Sequence, residues 1–260
     1  MRLGSLWAIT RRELFALFVT PIAYFVMGTY LFLSAFFFFN YYSNFHRALY
    51  ENAALSKTPN ITMNLNDWVI EVYFHSLVLL LVFVVPLLTM RAFSEERKRG
   101  TLELLMTIPV TVRELVLGKF LALLILLLLM CLLSFFYPLM LFFWGAPAPE
   151  WAPVLSGAVG VFLCAAAFLS LALAMSTFSE NQVVSGISSM ALLLLLYVIF
   201  WPAQSLGGYG EELLMAVSPV WQVSGWIDGV VGLSSSFYFI SLIALGLFSA
   251  VQILEMQRWR

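Results

Sequence analysis

The chain has 260 residues, of which 62% are hydrophobic and only 10% are charged, and its formal net charge at pH 7 is −1. Because soluble globular domains carry about a quarter of charged residues, this composition excludes a soluble protein and indicates a polytopic membrane protein. The placement of the few charges along the chain is therefore more informative than their sum.

The first twenty residues combine arginines with apolar positions. The apolar positions fall near one face of a helix, at Leu3, Leu6, Trp7, Leu14, Leu17 and Phe18. This pattern predicts an amphipathic helix over residues 1–20, lying in the plane of the cytoplasmic membrane surface. A frayed leader is the alternative.

Six apolar runs reach the length of about twenty residues that a helix needs to cross the hydrocarbon core. They cover residues 21–41, 72–90, 120–143, 153–178, 183–201 and 237–254. We therefore predict an all-α membrane domain with six transmembrane helices over residues 21–260. These runs contain no Asp, Glu, Lys or Arg, which argues against an ion-coupled transporter, because such proteins place ionisable groups inside the membrane.

The distribution of Lys and Arg predicts the topology. Eleven of the thirteen lie in the N-terminus, in residues 91–119 or in the C-terminus. By the positive-inside rule, both termini and this connector are expected in the cytoplasm and the protein in the inner (cytoplasmic) membrane.

The segments on the other side differ from each other. Residues 42–71 are polar and rich in Asn, and they predict a small external cap. Residues 213–217 and 220–231 are too apolar for a solvated loop and too short to cross, and they are broken by Pro219 and Gly225. This pattern predicts short re-entrant external helices over residues 207–233, which protein must cover because irregular backbone is not tolerated in lipid.

The fourth run carries small side chains at intervals of four residues. They are Ser156 and Gly160, then Ala166, Ser170 and Ala174. Small residues at this spacing let helices approach closely in membranes. We expect this face to pack against other spans.

The connector, residues 91–119, predicts two helices separated by a break. Ser94 is a good N-cap, and Glu95 and Glu96 suit the positive end of the helix that follows. Gly100 permits a bend. Pro109 ends the first piece and Thr111 to Glu114 form a capping box that starts the second helix.

The residue types that catalysis requires do not form a recognisable site. The two histidines, His46 and His75, fit neither a catalytic triad nor a zinc-binding motif. The sequence Leu117-Gly118-Lys119-Phe120 ends like a phosphate-binding loop, but Phe120 replaces the required Ser or Thr. We therefore expect no ATPase activity, no metal and no cofactor in this chain.

The connector resembles the signature of ABC type-2, export-type permeases. The resemblance lies in Arg91-Ala92-Phe93-Ser94-Glu95-Glu96-Arg97, Gly100-Thr101-Leu102-Glu103-Leu104-Leu105, Ile108-Pro109-Val110 and Leu117-Gly118-Lys119. Residues 176–184 are similar to the segment between the fourth and fifth spans of that family. Ser218-Pro219, Gly229-Val230-Val231 and residues 251–260 are most similar to its gliding-motility-associated branch, although Gln222 and Val223 replace the His and Phe that this branch often has.

The resemblance implies a transporter with two permease subunits, identical or different, and a dimer of cytoplasmic ABC ATPase subunits that bind ATP and magnesium. An accessory protein in the periplasm or the membrane is a possible further partner, and no nucleic acid is expected. The part of the connector that receives the ATPase motion is a coupling helix. The residues implied for it are Ser94, Glu95, Glu96, Arg97, Arg99, Gly100, Thr101, Leu102, Glu103, Leu105 and Pro109.

Three functions fit these features. The first is the permease subunit of an ABC exporter. The second is a mechanotransmission or scaffold subunit, as in gliding or envelope machinery, in which ATP hydrolysis moves an external partner and nothing crosses the membrane. The third is a passive channel, which would function without any ATPase.

Overall fold

A computed structural model of the chain describes residues 3–55, 64–98, 100, 111–144, 149–202 and 208–258. Those residues form helices and turns and contain no strand. Six of the helices are long and apolar enough to cross a membrane. The prediction of an all-α polytopic membrane protein is therefore confirmed.

The described helices follow the order of the predicted ones. They are α1 (Leu3–Val19), α2 (Pro21–Leu55), α3 (Val72–Thr89), α4 (Ser94–Lys98), α5 (Val112–Trp144), α6 (Trp151–Ser176), α7 (Gln182–Val198), α8 (Tyr209–Val217), α9 (Pro219–Ile227) and α10 (Leu233–Arg258). A π-helical turn, Asn66–Glu71, leads directly into α3. The six candidate spans are α2, α3 with α4, α5, α6, α7 and α10.

The helices extend beyond the apolar runs, and the first part of the predicted external cap is helical. Helix α2 continues from Tyr41 to Leu55 through residues that were expected to form that cap. Phe45 in this extension is only 1% exposed, and Asn44 donates a hydrogen bond to Asn40 one turn earlier. Packing and local hydrogen bonds continue the helix where hydropathy alone ends it. The rest of the predicted cap falls partly on residues 56–63, which lie outside the described residues.

Helix α6 lies at the centre of the bundle, and the predicted small-residue face makes its closest contacts. A Cβ atom added to Gly160 would lie 2.5 Å from the Cβ of Trp226 in α9. A Cβ added to Gly246 in α10 would lie 2.6 Å from the backbone carbon of Ser170. Helices α9 and α10 thus approach α6 at distances that leave no room for a side chain.

These contacts predict that Gly246→Ala destabilises the protein. The added methyl meets the backbone of Ser170, which cannot rotate away, so α10 must shift; overpacking of this kind costs about 1–3 kcal/mol. Gly28→Ala in α2 is the matched control, because no atom lies within 4 Å of its added Cβ. We expect thermal unfolding in detergent at a lower temperature for Gly246→Ala and at an unchanged or higher temperature for Gly28→Ala. Equal melting temperatures would contradict the close packing of α10 on α6.

Helices α8 and α9 occupy the segment for which short external helices were predicted. The hydroxyl of Ser218 accepts a hydrogen bond from the backbone N–H of Trp221 and caps α9, with Pro219 in the first turn. Val223, Trp226 and Ile227 are buried, and α9 packs on α6. Protein therefore covers α9 as a re-entrant helix requires, while its depth in the bilayer stays a prediction.

Hydrogen bonds between tyrosines and serines join three spans inside the bundle. The hydroxyls of Ser34 in α2 and Tyr73 in α3 are 2.7 Å apart, and Tyr73 donates to the backbone carbonyl of Ser134 in α5 at 2.9 Å. Tyr30 in α2 lies 3.1 Å from the Ser134 hydroxyl. All four residues are buried. This network holds α2, α3 and α5 together, and the hydropathy pattern gave no sign of it.

Candidate functional site

The residues predicted for the coupling helix that the structure describes lie in α4, directly after the second span, and in the turn that follows it. Residues 91–93 form a turn, and α4 begins at Ser94. The fully buried Ser94 donates its hydroxyl back to the carbonyl of Met90. The expected N-cap contact is not the one observed; Ser94 instead ties the start of α4 to the end of α3.

Lys119 of α5 joins α4 to the N-terminal helix. Its Nζ atom lies 2.8 Å from Oε1 of Glu96 in α4 and 3.2 Å from Oε2 of Glu13 in α1. Arg12 adds contacts of 2.6 Å to Glu13 and 3.8 Å to Glu96. We call Arg12, Glu13, Glu96 and Lys119 the ionic cluster. It connects α1 with α4 and α5, two consecutive helices that lie much later in the chain.

Because Lys119 is buried, the ion pairs of the ionic cluster restrict the positions of the helices that they connect. The Lys119 side chain is 4% exposed, against 18% for Glu96 and 20% for Glu13. A buried ammonium must be paired, because removing an unpaired charge from water is costly. Lys119 therefore fixes the positions of both carboxylates. The ring of Phe93, 5.3 Å from Nζ, adds a cation–π contact from the turn before α4.

The pKa of Glu13 is set by burial and by the neighbouring cations, which act in opposite directions. Burial by itself raises the pKa of the Glu13 carboxyl, but the charge of Lys119 and the hydrogen bonds from Arg12 and Lys119 outweigh it, so that the pKa lies below the ordinary value. A lowered pKa means that the charged form is the one the folded protein stabilises. This contribution is present at neutral pH and is lost only as the pH falls through the lowered pKa.

The N-terminal helix contacts the bundle through a side that the sequence did not single out. Thr10 is buried, whereas Trp7, one of the residues expected on the apolar face, is 64% exposed. A Cβ added to Gly118 of α5 would lie 2.6 Å from Cγ2 of Ile9. Ile9, Thr10 and Glu13 thus lie on the side that contacts α5, where Glu13 also pairs with Lys119. The placement of α1 at a membrane surface stays a prediction.

Arg97 joins α4 to the far side of the bundle. Its Nη1 atom donates hydrogen bonds to the carbonyls of Thr177, at 3.1 Å, and Phe178, at 3.3 Å, just after α6 ends. Its Nε atom lies 3.2 Å from the largely exposed carboxylate of Glu180. A cation at a helix C-terminus satisfies carbonyls that have no partner in the helix and complements the helix dipole.

The C-terminal helix reaches the same point. Gln257 of α10 donates a hydrogen bond to the Thr177 carbonyl at 3.2 Å. Adjacent residues of α4 therefore contact opposite sides of the bundle: Glu96 contacts α5, and Arg97 contacts the turn between α6 and α7. A displacement of α4 would be transmitted to both sides.

Both ends of the described connector follow the predicted local structure. Thr111 donates its N–H to the Glu114 carboxylate at 3.2 Å, and Glu114 donates its N–H to the Thr111 hydroxyl at 3.3 Å, which confirms the capping box at the start of α5. Gly100 has φ = 67°, and its N–H donates to the Arg97 carbonyl. The bend expected at Gly100 is thus a left-handed turn after α4.

This turn makes Gly100 sensitive to backbone chemistry alone. Proline holds φ near −65° and has no N–H, so Gly100→Pro must change the direction of the chain after α4 and remove the bond to Arg97. Gly100→Asn keeps the N–H and tolerates the left-handed region, and no atom of the described residues lies within 4 Å of an added Cβ. We expect faster hydrogen exchange in α4 for Gly100→Pro and near-normal exchange for Gly100→Asn. Equal exchange in the two variants would show that the turn is unimportant.

A groove of about 870 Å³ adjoins the ionic cluster. It lies among α1, α2, α3, α4 and α5, and its floor includes Leu17, Leu87 and Leu123. Charged side chains from the ionic cluster, together with Arg91 and Glu95, line it as well. The groove is therefore amphipathic.

The predicted site residues divide into two sets. The structure places Ser94, Glu95, Glu96 and Arg97 together on α4, with Gly100 in the turn that follows. Arg99, Thr101, Leu102, Glu103, Leu105 and Pro109 lie outside the described residues. Sequence reasoning missed the partners of α4, which are Lys119, Arg12 and the carbonyls after α6. It also missed Glu13, which shares Lys119 with Glu96. The one available signal was that Glu13 is the only acid in the first fifty residues.

Comparison with known families gives one match, and it covers most of the chain. The model of the family described as ABC-2 family transporter protein matches residues 7–224. A search of curated proteins finds no match. The matched region begins within α1 and includes α4, the ionic cluster and the turn after α6. The assignment to the gliding-motility branch stays a prediction.

Proposed function

Since this chain belongs to the ABC-2 transporter family and is therefore an integral membrane subunit of an ABC transporter, we propose that it is the permease subunit of an exporter in the inner membrane. A separate ATPase dimer supplies the energy by binding and hydrolysing ATP with magnesium. The helices of this chain form the path that a substrate follows across the membrane, or they line that path and move. The chain contributes no catalytic residue.

The observation that carries this proposal is the set of contacts made by α4. Glu96 contacts Lys119 at the start of α5, and Arg97 contacts the carbonyls at the end of α6. Movement applied to α4 by a partner therefore acts on two central helices at once. A ligand or partner can shift a protein only through contacts that differ between its states. Helix α4 can provide such contacts, because it touches both α5 and the end of α6.

The arrangement of the helix ends supports the proposed topology. Glu13 near the N-terminus, Glu96 after the second span and Lys119 before the third meet in the ionic cluster, and Gln257 near the C-terminus meets the turn after α6. All of these segments thus lie at one end of the bundle. This end carries the basic residues, and we assign it to the cytoplasm by the positive-inside rule.

We also propose that a second permease subunit, identical or different, completes the transporter. The family implies this arrangement. In addition, most side chains of α7 and α10 are not buried within the single chain, which leaves apolar surface for both lipid and a partner.

Site-specific photo-crosslinking tests the role of α4. Lys98 is exposed on α4, so a benzoylphenylalanine at this position should crosslink to an ABC ATPase in native membranes. Tyr50, which is 75% exposed near the opposite end of α2, is the matched control and should give no crosslink to the ATPase. Equal crosslinking from both positions, or none from Lys98, would contradict the proposal.

A further inference from the structure

The groove beside the ionic cluster includes an arginine with one nitrogen that is not hydrogen-bonded to any of the described residues. The Nε atom of Arg91 is buried and has no hydrogen-bond partner among the described residues. Arg91 lines the groove together with Arg12 and Lys119. A buried guanidinium N–H that is left unsatisfied costs free energy, and guanidinium groups bind phosphate with particular strength. Arg91 is therefore suited to a phosphate from outside the chain.

The other charges of the groove restrict the kind of phosphate. Its lining has three basic side chains, Arg12, Arg91 and Lys119, and three acidic ones, Glu13, Glu95 and Glu96. The sum of +3 and −3 is zero, so the groove does not favour a ligand with a net charge. Each carboxylate has about four lone-pair positions, which means that the acids already bound to Lys119 can accept further hydrogen bonds.

The remaining lining is apolar and continuous with the spans. Leu17 comes from the N-terminal helix, Leu87 from the end of α3 and Leu123 from α5, and Leu87 is 46% exposed. The volume of about 870 Å³ falls in the range of about 300–1,000 Å³ that is usual for ligand pockets. A ligand that fits must join a zwitterionic polar end to an apolar end.

We propose that the groove binds the headgroup of a zwitterionic aminophospholipid of the phosphatidylethanolamine class. Its phosphate accepts hydrogen bonds from Arg91, its ammonium donates to the carboxylates, and the beginning of its acyl chains lies on the leucines. Phosphatidylcholine has no N–H to donate, and phosphatidylglycerol adds a negative charge beside three carboxylates. The bound lipid thereby connects α1, α3 and α5 beside α4. The inference rests on the proposed topology in one respect only, which is that the topology decides which leaflet supplies the lipid.

Native mass spectrometry tests the proposed lipid preference. The purified chain is mixed with equal amounts of phosphatidylethanolamine, phosphatidylcholine and phosphatidylglycerol, all with the same acyl chains. We expect adducts of phosphatidylethanolamine in severalfold excess. Arg91→Gln should abolish the excess, whereas Arg11→Gln, at an exposed arginine of α1 that does not line the groove, should keep it. Ala16→Trp places a ring in the groove without changing charge and should also abolish the excess.

Three results would overturn the proposal. One is equal binding of the three lipids, and another is a preference for phosphatidylglycerol. The third is displacement of the lipid by an equal concentration of glycerophosphoethanolamine, which would assign the groove to a soluble ligand. The elution volume of each variant on size exclusion separates loss of lipid from loss of fold. Because the assay contains no ATPase, failure here and failure of the proposed function are distinguishable.

Discussion

Replacing Lys119 with methionine is expected to release the N-terminal helix. It should lower the free energy of unfolding by about 3–5 kcal/mol, which is the usual cost of removing one partner of a buried ion pair. Methionine retains most of the apolar volume but leaves Glu13 and Glu96 facing each other without the ammonium that now lies 3.2 Å and 2.8 Å from them. Hydrogen exchange should rise in α1 first, and thermal unfolding in detergent should occur at a lower temperature.

A triple variant that removes the charge of Lys119 and of both carboxylates separates two effects. One is the cost of leaving the carboxylates unpaired, and the other is the loss of the lysine itself. Lys119→Met combined with Glu13→Gln and Glu96→Gln leaves no buried unpaired charge, and most of the stability should return, because neutral replacements of a buried ionic group are often tolerated. Lys98→Met on the exposed side of α4 is the matched single variant and should be neutral. If Lys119→Met and Lys98→Met melt at the same temperature, the ionic cluster does not hold α1 in place.

Replacing Arg97 with glutamine is expected to disconnect α4 from the turn after α6 while the fold remains. The two hydrogen bonds from Nη1 to the carbonyls of Thr177 and Phe178 are charge-assisted, and each such bond is worth about 1.5–3 kcal/mol. The ion pair with Glu180 adds little, because that carboxylate is largely exposed. The main loss therefore concerns the link between α4 and α6.

Hydrogen exchange of the assembled transporter measures this link. In the wild type, trapping the ATPase with ATP and vanadate should change exchange in residues 177–181. In Arg97→Gln this change should shrink about tenfold, since 1.4 kcal/mol corresponds to a factor of ten. Arg47→Gln, the same change at an exposed arginine near the opposite end of α2, is the control and should respond like the wild type. A full response in Arg97→Gln would show that motion reaches α6 by another route.

The spans were predictable because the physics that determines them is local. About twenty apolar residues suffice to cross a bilayer, and all six runs reappear as helices. The capping box of Thr111 and Glu114 was predictable for the same reason, since both hydrogen bonds form within one turn. Helix ends were less predictable: α2 continues past Tyr41 because Phe45 is buried by tertiary contacts, which hydropathy does not record.

The partners of α4 could not be predicted because they are non-local. Arg97 and Thr177 are 80 positions apart, Glu96 and Lys119 are 23 apart, and the Glu13 that shares Lys119 is 106 positions from it. A single sequence shows that Glu96 is charged, but it does not show which distant cation pairs with it. The family resemblance indicated α4 as the coupling element. The structure adds the contacts through which α4 can act on α5 and α6.

The central claim is that a cytoplasmic ATPase drives this chain through α4, and affinity purification in mild detergent from its native cells tests it most directly. Mass spectrometry of the proteins that copurify should show an ABC ATPase in near-stoichiometric amount with the wild-type chain. Isolation of the chain alone, stable and correctly folded, would contradict the claim and favour a channel or scaffold.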